Sequence, residues 1–546
     1  MKTVIHYISL LLLILPAFCS AQYVWKKNYT LPYGSWANEV TETYDKGYLT
    51  GGLIRNLQSP YFGYILKTDI NGNKLWTKVI DGARETTFGS VNATSDGGFI
   101  AGGHYNTQGN DIDSYVIKFN ACAEPQWCTI LPDNIYHYPT IISRGIFETP
   151  DGGFFVHRMF EDFVPDGRIW SIAKLSASGN VEWLNYYVYN NPDWYPGSQL
   201  QLRTTLTTDT CLVVCGMVND TIFHPDPGAQ SDMPFWFKVD INGNLLWDRK
   251  WNLYWGGTPA EVYAVTEGRN NSYYSGGIMD PGLGHPYVFK IDKDGDSISY
   301  FNVYNHPGSI ACKPHYIRSF NDTTLLLNTQ FGVTYTDNWW SLQLIDTLGN
   351  NYKCIYKQEH NIPMMSIKTF DNKIVVLGID MSGNGAFPYD WISLSKFNTN
   401  LEYDSIYTAP RTYDSLCPHP IVSDTIPVPP NCLVFTALPE VKGTSDILQL
   451  KVYPNPASSY TTVEMPEFSL TTTKSKSVNQ QQYRPLKGEV ELSLINISGK
   501  IVNTDVFDAS ERNHVVNVSK LPEGMYVLHL TQKGKFVAQG KVMVLR

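Results

Sequence analysis

Beyond its first residues the chain has no apolar run of 18 residues, so no later segment is long enough to span a bilayer as a helix. Charge is also sparse. Only 17% of the 546 residues are Asp, Glu, Lys or Arg, and the balance is acidic, −9 overall. A general nucleic-acid binder needs a basic face, so that class is excluded. No C-x-x-C pair, G-x-S-x-G elbow, H-E-x-x-H helix or P-loop occurs. The usual signatures of a zinc site, a serine hydrolase, a zinc protease and a nucleotide enzyme are therefore missing. No metal or cofactor is expected.

What is present starts with an export signal. Lys2 precedes the largely apolar stretch Ile8 to Leu15, and Cys19-Ser20-Ala21 ends it in small residues. Residues 1–21 read as a signal peptide cut after Ala21. A lipoprotein reading of Cys19 is disfavoured by the bulk of Phe18. Removing Lys2 with the signal makes the charge −10. Aromatics at 13%, with 42 Gly and 32 Pro, point to β-structure with many turns.

The length suggests about four domains, but internal repetition changes that count. A pattern of two apolar strands around a D-G-G-type turn recurs, followed by an aromatic strand ending in Lys, a D-x-N-G-N-type turn and a Trp strand. The first turn is clearest at Asp45-Lys46-Gly47, Asp96-Gly97-Gly98 and Asp151-Gly152-Gly153. The second is clearest at Asp69 to Asn73 and Asp240 to Asn244. Marking the turn glycine or its counterpart gives Gly72, Ala123, Gly179, Gly243, Gly295, Gly349 and Leu401. Five residues before the marker stands Lys67, Lys118, Lys174, Lys238, Lys290 or Lys396, with Leu344 the exception. Each unit holds four strands, a to d, and one such sheet cannot bury both faces alone. Seven packed radially can. The expected fold is all-β: a seven-bladed β-propeller over residues 22–408. Two stretches can supply the strand that closes the ring, Trp25 to Tyr29 or Leu401 to Thr408.

The a–b and c–d turns are stereotyped, whereas the b–c and d–a connections vary. In a propeller the variable set emerges on one face, where binding is expected. Aromatic residues there are the candidate contacts: Trp194, Tyr195, Trp251, Tyr254, Trp255 and Trp339. The competing assignment is that they wedge between blades. Histidines such as His104, His137, His224, His285 and His315 are scattered over several blades, and no catalytic residue is singled out. Asp292 to Asp296 resembles a calcium loop, but its Gly is fourth rather than sixth, so an Asx-stabilised turn is expected.

Cysteine chemistry fits an oxidising compartment, with eight cysteines left after signal removal. Cys122 and Cys128 flank one c–d turn and are expected to pair. Cys417 and Cys432 bracket a Pro-rich segment, 409–447, that reads as an extended linker, and the two are the candidates to close a loop there. Cys211 and Cys215 lie roughly 13 Å apart along one strand, too far to bond each other. A second β segment, residues 448–546, has the alternating strands of a small immunoglobulin-like β-sandwich, with a polar loop at 469–487.

Two resemblances follow from these residues. The T-x-D-G-G and D-x-x-G-N-x-x-W wording resembles propeller repeats of surface proteins exported by type IX secretion. The tail closely resembles the type A C-terminal sorting domain of that system. Four motifs carry the second match, with Pro454, Asn455 and Pro456 in the first, and Gly499 in the second (Leu494 to Val502). Leu521, Pro522, Gly524 and Tyr526 belong to the third, and Lys541 to Arg546 form the last. The resemblance implies contact with the type IX secretion machinery and an outer-surface or secreted destination. It also implies tail removal, then release or attachment to surface lipopolysaccharide. Asp-[Ser/Thr]-apolar triplets such as Asp414-Ser415-Leu416 and Asp424-Thr425-Ile426 look like O-glycosylation sites of bacteria that use this route. The functional expectation is a non-enzymatic binding or adhesion module for a glycan, protein or surface polymer. The alternative is a secreted hydrolase or lyase with its site at the propeller channel.

Overall fold

The structure, a computed structural model, describes residues 25–546 except 32–33, 56–60, 82–84, 107–111, 132–139, 142–144, 161–167, 190–203, 220–231, 252–259, 280–284, 304–309, 333–337, 359–360, 381–390, 428–431, 435–439, 444–447, 466, 471–481, 486–487, 497–499 and 533–534. The signal peptide lies outside the described residues. No described helix is long and apolar enough to cross a membrane.

Seven antiparallel sheets of four main strands follow one another along the chain. Blade 1 runs Gly34–Glu42, Tyr48–Arg55, Tyr61–Thr68 and Lys74–Asp81 as strands a to d. Blade 7 takes Asn361–Lys368, Ile374–Asp380 and Trp391–Phe397 as a to c. Its d strand is Lys26–Tyr29 from the N-terminus, paired antiparallel with Trp391–Phe397. The ring is therefore closed by the first of the two expected stretches.

The core explains why the sheets close. Buried apolar residues fall into seven clusters, each shared by two neighbouring blades. Leu49 and Ile65 of blade 1 meet Phe99 and Ile117 of blade 2, and so on around the ring. The last cluster packs Val375 and Leu394 of blade 7 against Tyr48 and Leu66 of blade 1, with Trp25 and Tyr29 between them. Each sheet thus buries both faces, which a lone meander cannot do. This is a seven-bladed β-propeller.

Two glycine positions are required by geometry. Every marker residue has positive φ, from Gly72 (73°) to Gly349 (93°), and Ala123 and Leu401 hold it at 59° and 62°. A side chain there is strained. A β-carbon on Gly179 would also come within 2.5 Å of Trp127 from the preceding blade. In strand b, a β-carbon on Gly52 would sit 1.9 Å from the Trp36 carbonyl, and one on Gly103 would sit 1.7 Å from that of Thr87. There the inner strand passes too close for any other residue.

The Pro-rich segment is extended, but it is not a free linker. Asp424–Pro427 adds a parallel fifth strand to blade 1. Leu433–Val434 does the same for blade 2, and Glu440–Gly443 for blade 3. Cystine pairing differs from expectation. Cys122 bonds Cys417 and Cys128 bonds Cys432, so no Cys122–Cys128 bridge forms and Cys417 does not close a loop with Cys432. The register explains the correction, because Cys128 stands opposite Ile117, while Cys122 lies in the turn itself. Cys211 and Cys215 are buried and neither takes part in a disulfide.

The tail forms a separate sandwich. A sheet of Leu448–Gln449, Lys535–Val544, Gly524–Gln532, Glu489–Asn496 and Ile501–Asp508 faces one of Lys451–Tyr453, Tyr460–Glu464 and Asn513–Asn517. Val463, Leu492, Leu528 and Val542 fill the space between them. The polar stretch expected as a loop has paired ends, Glu467–Leu470 with Gln482–Pro485.

Candidate functional surface

An antiparallel meander sends a–b and c–d turns to one face and b–c and d–a connections to the other. The recurring polar residues all act on the first face. In blade 2 the Lys118 ammonium lies 2.8 Å from Asp96, and Thr94 donates to the same carboxylate at 2.6 Å. Lys67–Asp45, Lys174–Asp151, Lys238–Asp209 and Lys396–Asp371 repeat the pair at 2.5 to 3.0 Å. Each joins strand c to the a–b turn of its own blade. For Asp151, burial opposes ionisation, but hydrogen bonds from Thr149, Lys174 and the Gly153 amide outweigh it, bringing its pKa down to about 2. In these five blades the recurrent Lys is therefore structural. Blade 7 keeps the latch although its D-G-G wording is lost, with Asn372 at φ 57° in place of glycine.

Two inter-blade contacts were not legible as motifs. The carboxylate ending strand a bonds the turn of the preceding blade: Glu148 accepts from Ser95, and Glu267 from Thr208. Glu42 likewise accepts from the Phe370 amide of blade 7. The d-strand Trp donates forward to the next c–d turn, as Trp127 to the Ala177 carbonyl at 3.0 Å and Trp183 to that of Ile241 at 3.0 Å. This first face is further covered at blade 1. There Tyr407 exchanges hydrogen bonds with Asn71, and the Asp414 amide donates to Asp45.

The opposite face carries the variable connections. Trp194, Tyr195, Tyr254 and Trp255 lie outside the described residues. Trp339 belongs to strand c of blade 6, Asn338–Asp346, where it is in register with Phe331 and Gln358. Trp251 follows strand d of blade 4. Its amide donates to the Pro234 carbonyl, and its ring packs edge-on against Phe289 and Tyr300 of blade 5. That ring wedges between two blades.

Of the histidines, His104 is half-buried beside Thr87 at 2.9 Å, and desolvation lowers its pKa to about 4. His137 and His224 lie outside the described residues. His285 and His315 sit in strands. Blade 3 places His157-Arg158 where blades 1 and 2 have Gly-Gly. Arg158 is fully buried and donates to the Leu131 carbonyl of blade 2 at 2.6 Å, to Ser171 and to Tyr186. The close approach is solved from the other strand, where Gly145 faces His157.

Asp292 to Asp296 is a hydrogen-bonded turn, its Asp292 carboxylate accepting from the Asp296 amide at 2.8 Å. Cys122, Cys417 and His419 cluster closely, but both sulfurs are spent in the disulfide. One imidazole is then the only donor left.

The sorting motifs converge in space. Asn455 donates to the Lys541 carbonyl at 2.8 Å and accepts from the Met543 amide at 2.9 Å. Arg546 donates to the Ser519 and Leu521 carbonyls. Tyr526 donates to the Pro522 carbonyl at 2.8 Å. Gly524 has φ 150°, a backbone that disfavours a side chain. The Tyr453–Pro454 and Asn455–Pro456 bonds are cis. Gly499 lies outside the described residues.

Comparison with known proteins bears on this tail. Residues 451–545 match the family described as the secretion system C-terminal sorting domain. The chain thus carries a type IX sorting domain and is directed to the outer surface or beyond. No curated protein matches the chain. Among solved structures, an ulvan lyase is 8% identical, covering 70% of this chain and 96% of its own, with a TM-score of 0.43. Sqt1 from Chaetomium thermophilum is 11% identical over 71% of this chain and 88% of its own, at 0.39. The alpha-L-arabinofuranosidase of Fusarium graminearum is 12% identical over 55% and 90%, at 0.36. Likenesses at this level say nothing of activity.

Proposed function

We propose that this exported propeller is a non-enzymatic binding module that engages a glycan, protein or surface polymer through its variable face. One observation carries the reading. On the face of stereotyped turns, five Lys–Asp latches are satisfied within their own blades. Blade 1 is covered there by the 404–417 segment. The long and variable connections are left to the other face, the place where a rigid scaffold presents binding loops. Trp194, Tyr195, Tyr254 and Trp255 are the proposed contacts, since rings give large contact area at low entropic cost.

The test is a glycan array and a protein pull-down with the secreted chain. Retention that falls at least tenfold with Trp255→Ala or Trp194→Ala, at unchanged melting temperature, supports the module. Turnover of a polysaccharide or peptide, abolished by one acidic or histidine substitution, overturns it in favour of a hydrolase or lyase.

A further inference from the structure

The two disulfides join residues 295 and 304 apart in sequence, and both end on blade 2. From Cys122 the chain runs through blades 3 to 7, passes beneath blade 1 along 401–417, and returns to Cys122 through the sulfur atoms. That path is a covalent circuit around the propeller axis. The strand pairing that closes the ring is short: four register pairs between Lys26–Tyr29 and Trp391–Phe397.

The 401–417 path also crosses this seam. On the blade 7 side, Tyr403 stacks on Phe397 at 4.8 Å and Asp404 pairs with Lys373 at 3.0 Å. On the blade 1 side, the Ile70 amide donates to Tyr413, Trp76 donates to Asp414, and the Leu416 amide donates to Tyr44. Cys417 then anchors the path to blade 2.

We propose that this strap is a thiol-controlled second closure of the ring. It is a covalent hoop that keeps blade 7 against blade 1 even when the Lys26–Tyr29 strand is detached. Each bond forms as two cysteine thiols exchange with a disulfide donor such as oxidised glutathione. The cysteines give up two electrons and two protons, and the donor leaves as two thiols. With the four cysteines reduced, only non-covalent contacts hold the seam: the N-terminal strand, the shared core, the Glu42–Phe370 bond and the strap's own hydrogen bonds. With them oxidised, the seam cannot gape without stretching the hoop. The order of the locks follows from burial. Cys128 is buried among the blade 1–2 core residues, whereas Cys417 is half-exposed, so the Cys122–Cys417 bond is the first to yield to a reductant.

The experiment weakens the seam in two backgrounds of the full secreted chain, one native and one with all four cysteines changed to serine. Trp25→Ala is the strong lesion. Tyr29→Phe, which removes only the bond to the Gly72 carbonyl, is the mild one should the first fail to fold. Amide exchange is followed by mass spectrometry in Gly34–Glu42 and Asn361–Lys368, the inner strands on either side of the seam. With the disulfides present, a lesion should change exchange there less than twofold. In the serine background it should accelerate both strands at least tenfold. Equal acceleration in the two backgrounds overturns the hoop. So does peptide mapping of the native chain that finds Cys122 joined to Cys128.

Discussion

Lys67 and Asp45 meet at 2.6 Å with side chains only 2% and 1% exposed. In the other latches the Asp is 18% to 51% exposed. The difference is the strap, whose Asp414 amide covers the Asp45 carboxylate. One repeated pair is thus set in two dielectric environments, and its energetic weight should vary with them. Asp45→Asn leaves a buried ammonium without its partner, which costs about 3 to 5 kcal/mol. Asp96→Asn, in blade 2, alters a carboxylate that is 51% exposed and leaves Lys118 its bonds to the Phe119 carbonyl and Gln126, so it should cost about 1 kcal/mol or less. Denaturant midpoints of the propeller transition check the ranking, and equal losses would contradict it.

The seat of Trp127 on the turn of Gly179 yields a coupled prediction. Gly179→Ala meets both a φ of 83° and the indole at 2.5 Å. We expect a loss of about 2 to 3 kcal/mol, part backbone strain and part overlap. In a Trp127→Ala background the overlap is gone, and only the strain of about 1 kcal/mol should remain. A double-mutant cycle by thermal unfolding measures the coupling. Strict additivity would show that the ring does not rest on the turn.

These two cases mark where the sequence is legible. The marker positions were readable because a left-handed turn admits few residues, and even Ala123 and Leu401 occupy the same φ. The recurrent Lys was readable as a repeat, but its purpose was not. Its Asp partner stands 22 residues away in blade 1 and is recognisable only once strands b and c lie side by side. The cystines misled for a related reason. Proximity in sequence suggested Cys122 with Cys128, whereas the strap brings Cys417 and Cys432 back to blade 2 from some 300 residues away. Proline content marked 409–447 as extended, yet nothing in composition shows that an extended chain has found three sheet edges. The candidate ring Trp251 was visible as an aromatic in a connection, and packing on Tyr300 turned it inward. Aromatic residues serve blade contacts and ligand contacts alike, so type alone does not separate the two.

Those sheet edges bear on proteolysis. Cleavage needs backbone that can leave its partners. Residues 404–427 carry hydrogen bonds to blade 1, a disulfide at Cys417 and a parallel ladder at Asp424–Pro427. Under oxidising conditions a broad-specificity protease should leave this stretch uncut while the propeller stays folded. After reduction, cuts should appear there first, read by mass spectrometry of the fragments. Early cutting of the oxidised chain would mean that the segment is a linker after all.

Burial gives His157 a defined pH effect. Burial lowers its pKa to about 3, and neither ring nitrogen meets a partner among the described residues. Its ordinary value is about 6.5. Between these values the unfolded chain binds a proton that the folded chain refuses. Stability therefore falls as pH drops below about 6.5, by about 1.4 kcal/mol per unit. His104, lowered to about 4 by burial, adds a second such proton in the same ring. His157→Leu should roughly halve the decline of the propeller melting temperature near pH 5. An unchanged slope would mean that the imidazole is hydrated and titrates normally.

Asn455 tests whether the sorting motifs act as one unit. Its side chain clamps the last strand twice, at the Lys541 carbonyl and the Met543 amide. Asn455→Ala removes both bonds and should destabilise the tail sandwich by about 2 kcal/mol, at the usual 1 kcal/mol for each bond. Asn455→Asp keeps the acceptor for Met543 but places a carboxylate against the Lys541 carbonyl, so it should be no better than alanine. Arg546→Ala removes the bonds to Ser519 and Leu521 just beyond the same end of that strand. If the folded corner is what the secretion machinery meets, all three variants should reduce the exported fraction in proportion to the stability they lose. The propeller transition should not move. A variant that abolishes export while leaving the tail's melting temperature unchanged would instead make that side chain a direct contact.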